Sequence, residues 1–193
     1  MIARTGLLIS AVIFLSACAP VKLIEPTRVT IGDGFSVEPQ IRWSSIPARS
    51  GLDLWTVDGA TLDAVTFFKG VADGQPLYRG PMGGGAPQED KRPKFRAAMT
   101  PTDIAELFAD SFAMIQVQNV ETTGLRPAKF GAEDGFRFEM TWATPGGLEM
   151  QSLVAGAVLK SRLYAVVYSG ARAHYFPRYR DTVENLLKSI TLQ

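Results

Sequence analysis

The chain has 193 residues, of which 46% are hydrophobic, and it carries 20 Lys and Arg against 19 Asp and Glu. That length is enough for one domain with a sizeable core. The near balance of charge argues against a nucleic-acid-binding protein, because that class normally carries a surplus of positive charge to contact phosphates.

The N-terminus has the pattern of an export signal. Arg4 gives a positively charged start, an apolar run begins at Gly6, and the run closes on Leu15-Ser16-Ala17-Cys18. A charged start, about ten apolar residues and small residues before a cut are typical of a secretory signal. The run is too short for a transmembrane helix, which needs about 20 apolar residues.

With a cysteine at the cut, residues 15–18 resemble the lipobox of bacterial lipoproteins. The resemblance implies cleavage before Cys18 and attachment of a diacylglyceryl group, with acyl chains such as palmitate, to the Cys18 sulfur. Ala19 is not the aspartate that resembles an inner-membrane retention signal, which favours an outer-membrane lipoprotein facing the periplasm. The alternative is an ordinary secretory signal cut after Ala19, which would leave Pro20 as the first residue.

The cut before Cys18 defines the mature chain. Removal of residues 1–17 leaves 176 of the 193 residues, and the loss of Arg4 leaves 19 Lys and Arg against 19 Asp and Glu. Residues 18–27 contain two prolines and no clear periodicity, so we expect a tether there, followed by a single domain over residues 28–193. Because no basic block is present, we expect the lipid alone to provide the membrane link.

The first predicted elements are strands. Apolar alternation from Val29 to Val37 around Gly32-Asp33-Gly34 predicts a hairpin. Residues 52–77 repeat this pattern, with turns at Asp58-Gly59 and Asp73-Gly74, and predict a pair of strands. Residues 79–96 are rich in Gly, Pro and charge, which predicts a long, mobile loop.

Two helices flank a predicted meander. Thr100 is a candidate N-cap with Pro101 at the first helical position, and apolar residues then recur at helical spacing. Four apolar stretches between residues 117 and 168, separated by short turns, predict an antiparallel four-strand meander. A last amphipathic helix is predicted over residues 177–189. The order predicts an α+β fold in which two amphipathic helices pack on antiparallel sheet.

The body of the chain is similar to the PsbP-like fold, named after an extrinsic subunit of photosystem II. The resemblance covers residues 28–192 and is carried by residues 35–43, by Gly135-Phe136-Arg137-Phe138 and by the helix that follows residues 164–168. It implies a sandwich of sheet and helices. It carries over no catalytic residue, and it implies a binding or assembly role, since that is how most known members act.

No complete catalytic or metal-binding motif is present. The sequence lacks the G-x-S-x-G run of a serine hydrolase, and its single cysteine, Cys18, is assigned to the anchor. One histidine and no Asp-rich loop argue against a metal site. Residues 83–85 are three glycines, but Ala86-Pro87 follows them, which favours a flexible loop over a phosphate-binding loop. We therefore predict no cofactor and no metal.

One short stretch holds the candidate site. His174 is the only histidine, and histidine titrates near neutral pH, so it is the one candidate for acid–base catalysis, with a helix cap or packed polar residue as the alternative. Arg172, Tyr175, Arg178 and Tyr179 surround it, and Arg and Tyr are favoured in binding hot spots. These five residues form the predicted partner or ligand surface. The alternative is that the aromatics face the core and the arginines face water.

Three functions are compatible with these patterns. The first is a non-catalytic, membrane-anchored periplasmic module that binds or helps to assemble an envelope protein. The second is a carrier of a small apolar molecule or lipid, held in an aromatic pocket. The third is a hydrolase-like enzyme, which requires His174 to lie in a cleft beside a Ser, Asp or Glu. The candidate aromatic residues for the carrier pocket are Trp43, Trp55, Phe67, Phe68 and Trp142.

Overall fold

The computed structural model describes residues 21–47, 52–78, 91–115 and 117–193. The predicted export signal, Cys18 and most of the predicted loop over residues 79–96 lie outside the described residues. Two helices are described, α1 (Pro101–Ala113) and α2 (Tyr175–Lys188). The strands are β1 (Lys22–Ile24), β2 (Val29–Ile31), β3 (Phe35–Val37), β4 (Trp43–Pro47), β5 (Asp53–Thr56), β6 (Asp63–Ala72), β7 (Gln118–Phe130), β8 (Glu133–Ala143), β9 (Glu149–Leu159), β10 (Arg162–Ala171) and β11 (Thr191–Leu192).

The strands form two antiparallel sheets. The large sheet has eight strands in the order β1-β4-β5-β6-β10-β9-β8-β7, and the small sheet has three in the order β11-β3-β2. The predicted meander is confirmed, because β7, β8, β9 and β10 pair with one another in chain order. The predicted hairpin is also confirmed, as the pair β2–β3. The α+β class predicted from the sequence is therefore the class of this structure.

The large sheet is buried on both sides, and β10 shows this most clearly. Val166 and Tyr168 pack in one hydrophobic cluster, and Ala165 and Val167 pack in a second. Alternate residues of a strand point to opposite faces, so the two clusters lie on opposite sides of the sheet. The first side is covered by α2 and the small sheet, and we call it the α2 face. The other side is covered by α1, and we call it the α1 face.

Helix α1 begins at the predicted residue. The Thr100 hydroxyl accepts a hydrogen bond from the Asp103 backbone N–H at 3.3 Å, and the Asp103 carboxylate accepts from the Thr100 backbone N–H at 2.8 Å. This reciprocal pair is a capping box, and it satisfies two backbone donors that a helix start leaves unpaired. The same bonds lower the pKa of Asp103. The local sequence thus determines the cap and the start of α1.

The predicted tether over residues 18–27 needs correction. Lys22–Ile24 forms β1, which pairs with β4 in the large sheet, and Ile24 is only 6% exposed. The ordered domain therefore reaches at least to Lys22 rather than starting near residue 28. A three-residue strand that buries one side chain is too short to show a periodicity. Its partner β4 lies some twenty residues further along the chain, so no local pattern indicates the pairing.

The segment from Phe35 to Trp43 contains a turn that separates two strands. β3 ends at Val37, Gln40 adopts a φ of 66°, and β4 begins at Trp43 in the other sheet. A non-glycine residue in this left-handed region is uncommon and marks a turn. The Trp43 indole N–H donates to the Pro39 carbonyl at 2.9 Å and fixes the crossing. This corner joins the small sheet to the large one.

The end of the predicted 79–96 loop is ordered. Phe95 is fully buried on the α1 face, its backbone N–H donates to the Gln75 carbonyl at 2.9 Å, and Lys94 forms a bridge with Pro76. The prediction of a mobile loop is therefore wrong for its last residues. A single buried aromatic among prolines and charges gives no periodic signal, although its burial is enough to hold the backbone.

Candidate functional site at the start of the second helix

The five predicted surface residues lie together where β10 passes into α2. Arg172, His174 and Arg178 are exposed, Tyr175 is half-buried, and Tyr179 is only 7% exposed. The set therefore divides into three side chains that face water and two that attach the helix to the α2 face. The following geometry shows how each group is held.

Tyr179 joins the helix to the turn between β5 and β6. Its hydroxyl donates to Asp58 Oδ2 at 2.5 Å, and its ring packs against Trp43 with centroids 6.1 Å apart. Burial, followed by the bond to Asp58, raises the pKa of Tyr179 to about 12. The phenol is therefore a permanent hydrogen-bond donor at neutral pH.

The turn that holds Asp58 is built around a buried carboxylate. Asp63 is fully buried and accepts hydrogen bonds from the Thr56 hydroxyl at 3.1 Å, the Val57 backbone N–H at 2.9 Å and the Asp58 backbone N–H at 2.7 Å. A buried carboxylate is tolerated only when such donors replace water. Sequence reasoning identified the Asp58-Gly59 turn but missed Asp63, because its donors are recognised only once the turn is folded.

Tyr168, on β10 of the large sheet, binds the first turn of α2. Its hydroxyl donates to the carbonyls of Tyr175 at 2.7 Å and Phe176 at 3.2 Å, and its ring stacks on Phe176 at 5.3 Å. Burial raises the pKa of Tyr168, so this donor is also permanent at neutral pH. The start of α2 is fixed by the sheet rather than by a side-chain cap, since His174 occupies the N-cap position without a capping hydrogen bond.

His174 is exposed, and its ring meets the edge of Tyr175 at a centroid distance of 5.0 Å. Among the described residues, no Ser, Asp or Glu side chain bonds to its imidazole. Three cavities formed by described residues do not include His174 among their lining residues. The cleft and partner that a catalytic histidine requires are not found around His174 in this region.

The two predicted arginines have loose partners. Arg178 lies 3.8 Å from Asp58 Oδ2 and 5.2 Å from the centre of the Tyr179 ring, and its side chain is 52% exposed. Arg172 lies 3.7 Å from Glu149 Oε2, with 56% of its side chain exposed. Both guanidinium groups therefore keep donors that a binding partner can reach.

Further along α2, Arg180 and Glu184 form tighter ion pairs that sequence reasoning missed. Arg137 on β8 forms a two-point pair with Glu184, and Glu139 on β8 accepts from Arg180 at 2.6 Å. The bond from Arg137 lowers the pKa of Glu184. Alternation along β8 would have marked Arg137 and Glu139 as solvent-facing, and only the position of α2 over the sheet shows their partners.

The aromatic residues proposed for a ligand pocket are core residues. Trp43, Trp55, Phe67 and Phe68 are each 2% exposed or less, and the Trp55 and Phe67 rings are only 4.5 Å apart. Trp142 alone borders a cavity, of about 190 Å³, that also includes Arg172. The indole N–H of Trp142 donates to Ser152 at 2.9 Å.

The described residues contain no cluster of three or more His, Cys, Asp or Glu side chains suited to a metal ion. Within the same part of the chain, neither helix is long and apolar enough to cross a membrane.

The sequence matches no family model and no curated protein. Among solved structures, the chain is similar to cyanobacterial PsbP (CyanoP) from Synechocystis sp. PCC 6803, with a TM-score of 0.56 and 10% identity over 95% of this chain and 98% of that one. It is also similar to LpqN, described as involved in cell envelope biogenesis of Mycobacterium tuberculosis, with a TM-score of 0.39 and 7% identity over 93% of this chain and 87% of that one.

These two matches have different weight. The similarity to CyanoP confirms the predicted PsbP-like fold, and at 10% identity it shows the fold alone. The similarity to LpqN is too low to establish a shared fold, so it supports no argument about this chain.

Proposed function

We propose that this chain is an outer-membrane lipoprotein facing the periplasm that acts, without catalysis, as a binding or assembly module for another envelope protein. The lipid on Cys18 is its membrane anchor, and the surface formed by Arg172, His174 and Arg178 is its contact site. The observation that carries the proposal is that these exposed side chains stand on a helix start held rigidly by buried tyrosines.

The charges on this surface favour an acidic partner. Arg172 and Arg178 each have a carboxylate at 3.7 Å or 3.8 Å, with more than half of the arginine side chain exposed. Exposed pairs of this kind contribute about 0–1 kcal/mol. A partner carboxylate can therefore replace Glu149 or Asp58 at little cost, and a planar guanidinium can bind it at two points.

Rigidity also favours recognition by this surface. Binding orders exposed side chains at a cost of about 0.5–1.5 kcal/mol each, and a mobile backbone would add to that cost. Here the backbone of the first turn of α2 is held by the Tyr168 hydroxyl and by the bond between Tyr179 and Asp58. Only the side chains need to be ordered when a partner binds.

A carrier function has less support. Four of its five aromatic candidates are buried in the core, and the cavity beside the fifth, Trp142, measures about 190 Å³. Ligand pockets are typically about 300–1,000 Å³. The exposure of His174 likewise gives an enzyme no site in which to orient a substrate.

The anchor is tested by metabolic labelling with an alkyne analogue of palmitate. The wild-type protein is expected to incorporate the label and to fractionate with the outer membrane. Cys18→Ser should do neither, and since Cys18 is the only cysteine, no second thiol can account for the signal. An unlabelled wild-type protein would contradict the anchor.

The contact surface is tested by crosslinking in intact cells of the bacterium that makes the protein. The double variant Arg172→Ala/Arg178→Ala is expected to lose at least about tenfold of its crosslinked partner, equivalent to about 1.4 kcal/mol. Lys188→Ala, an exposed basic residue at the other end of α2, is the matched control and should keep the partner. Equal loss in both variants, or in neither, would contradict this surface.

A further inference from the structure

The link between the proposed anchor and the folded domain is short. The part of the chain that the structure describes starts at Val21, three residues after Cys18, and β1 begins at the next residue, Lys22. Consecutive Cα atoms are 3.8 Å apart, which limits Val21 to within about 11 Å of Cys18. The headgroup layer of one leaflet is itself about 5–8 Å thick. A lipid on Cys18 would therefore hold the β1 end of the sheet at the membrane surface.

The side chains at this end are apolar and exposed. Val21 is 62% exposed and Leu23 is 54% exposed, more than the other large hydrophobic residues found exposed in the described structure. Single exposed leucines are ordinary on protein surfaces. Val21 and Leu23 lie three and five residues after the proposed lipid attachment site, where burial in the headgroup region would remove them from water.

The apolar surface continues from Leu23 across the next two strands. Leu23 pairs with Ser44, Ile46 lies two residues beyond Ser44 on β4, and Ile46 pairs with Leu54 on β5. Paired residues and residues two apart on a strand share one face of a sheet, so these side chains lie on the same side. Ile46 and Leu54 are half-buried.

This side is the α1 face, but α1 itself packs mainly on β7 and β8, with Phe108 reaching Phe68 on β6. Ile24, the neighbour of Leu23, belongs to the cluster on the α2 face, which places Leu23 on the opposite side. We call Val21, Leu23, Ile46 and Leu54 the anchor-side patch. It combines partial exposure with proximity to the proposed lipid.

We propose that the anchor-side patch rests on the lipid bilayer, so that the lipid on Cys18 and the patch together fix the orientation of the domain. This rests on the proposed lipidation. Seven strand spacings separate β1 from β7, so the β7 edge stands roughly 33 Å away along the sheet. Because α1 covers the same face beside β7, contact of the patch with the bilayer raises the β7 edge off the membrane surface.

The test compares two exposed leucines on opposite edges of the same sheet. Leu23→Cys and Leu125→Cys are each made in the full chain, produced as the acylated protein and labelled with an NBD fluorophore. Acylation blocks the Cys18 thiol, so only the introduced cysteine reacts. Leu125 lies on β7 and is 38% exposed, which makes it the matched control.

Both proteins are reconstituted in vesicles of phosphatidylethanolamine and phosphatidylglycerol that contain a headgroup nitroxide lipid. We expect severalfold stronger quenching, and a blue-shifted emission, at position 23 than at position 125. Equal quenching at the two positions in protein that floats with the vesicles would overturn the proposed orientation while leaving the anchor intact. Protein that does not float overturns the proposed anchor, and the orientation with it.

A second variant isolates the short link. About twenty Gly and Ser residues inserted between Pro20 and Val21 give a flexible span of roughly 25 Å, long enough to release the domain from the surface. Flotation should be retained, and quenching at position 23 should fall severalfold towards the value at position 125. Unchanged quenching would contradict the role assigned to the short link. Unchanged thermal unfolding of each variant shows that the fold is intact.

Discussion

The two helices cover opposite faces of one sheet and both bury apolar side chains there, but they differ in the polar bonds that accompany this burial. α1 is closed by its own capping box and buries the side chains of Ile104, Leu107 and Phe108 in a wholly apolar cluster. α2 has no side-chain cap; it buries Phe176, Val183 and Leu186 in the other apolar cluster and is held in addition by the Tyr179–Asp58 bond and by ion pairs with β8. Apolar burial is insensitive to pH, whereas polar attachment depends on charge and on the position of each partner.

This difference bears on function. Because buried tyrosines and ion pairs hold α2 in position, the side chains on the outer side of its first turn are free to face water. The exposed residues at this turn and just before it, Arg172, His174 and Arg178, contribute little to attachment, because the bonds that fix the turn come from Tyr168 and Tyr179.

The largest expected effect would break the apolar attachment of α1. Phe108 is fully buried and lies between Phe68 at 5.4 Å and Phe138 at 5.8 Å. Phe108→Ala is expected to lower the free energy of unfolding by about 3–5 kcal/mol, because it removes apolar contacts and leaves a cavity. Urea denaturation measures the loss. Glu106→Gln, on the exposed side of α1, should change stability by less than about 0.5 kcal/mol.

A smaller loss is expected when the polar attachment of α2 is cut. Tyr179→Phe removes only the hydroxyl that donates to Asp58 at 2.5 Å, and a hydrogen bond to a charged group contributes about 1.5–3 kcal/mol. The control is Tyr175→Phe, because the contact of Tyr175 with Tyr168 uses its backbone carbonyl, which the substitution preserves. Equal denaturation midpoints for the two variants would argue against the bond to Asp58 as an attachment of α2.

The cap of α1 provides the next prediction. Thr100→Ala removes the hydroxyl that accepts from the Asp103 backbone N–H and should lower the free energy of unfolding by about 1 kcal/mol. Thr102→Ala, in the exposed first turn of the same helix, removes the same atoms without removing a cap. A larger loss for Thr102→Ala than for Thr100→Ala would contradict the assigned start of α1.

The last prediction concerns the effect of pH on the ion pair that attaches α2 to β8. The bond from Arg137 lowers the pKa of Glu184 in the folded state, so the carboxylate stabilises the fold above its unfolded pKa, about 4.3. That stabilisation is lost as pH falls through the lower folded pKa. Glu184→Gln should therefore be less stable than the wild type at neutral pH, with the difference shrinking below about pH 4.

Phe108→Ala is the control for this pH series, because no titratable group is changed and its deficit should stay constant in acid. Urea midpoints measured across the pH range check both variants. A Glu184→Gln deficit that is the same at neutral and acid pH would show that the pair with Arg137 does not stabilise α2 through its charge.

Much of the site near α2 could be located from the sequence, but its geometry could not. The stretch from Arg172 to Tyr179 stands out as a local pattern, and the expectation that its aromatics face inward while its arginines face water agrees with the burial of Tyr179 and the exposure of Arg178. The partner of Tyr179 is Asp58, 121 residues earlier in the chain. No local pattern predicts a bond across that separation.

The sequence by itself determined the β2–β3 hairpin, the meander and the capped start of α1, because hydrophobic periodicity, turn residues and capping residues act within a few positions. The tertiary structure determined the features that depend on contacts formed only in the folded chain. These are the β1 strand formed by Lys22–Ile24, the buried carboxylate of Asp63 and the pairing of Arg137 with Glu184 across 47 residues. These residues look polar or irregular along the chain. Their roles exist only where the fold brings their partners close and removes water between them.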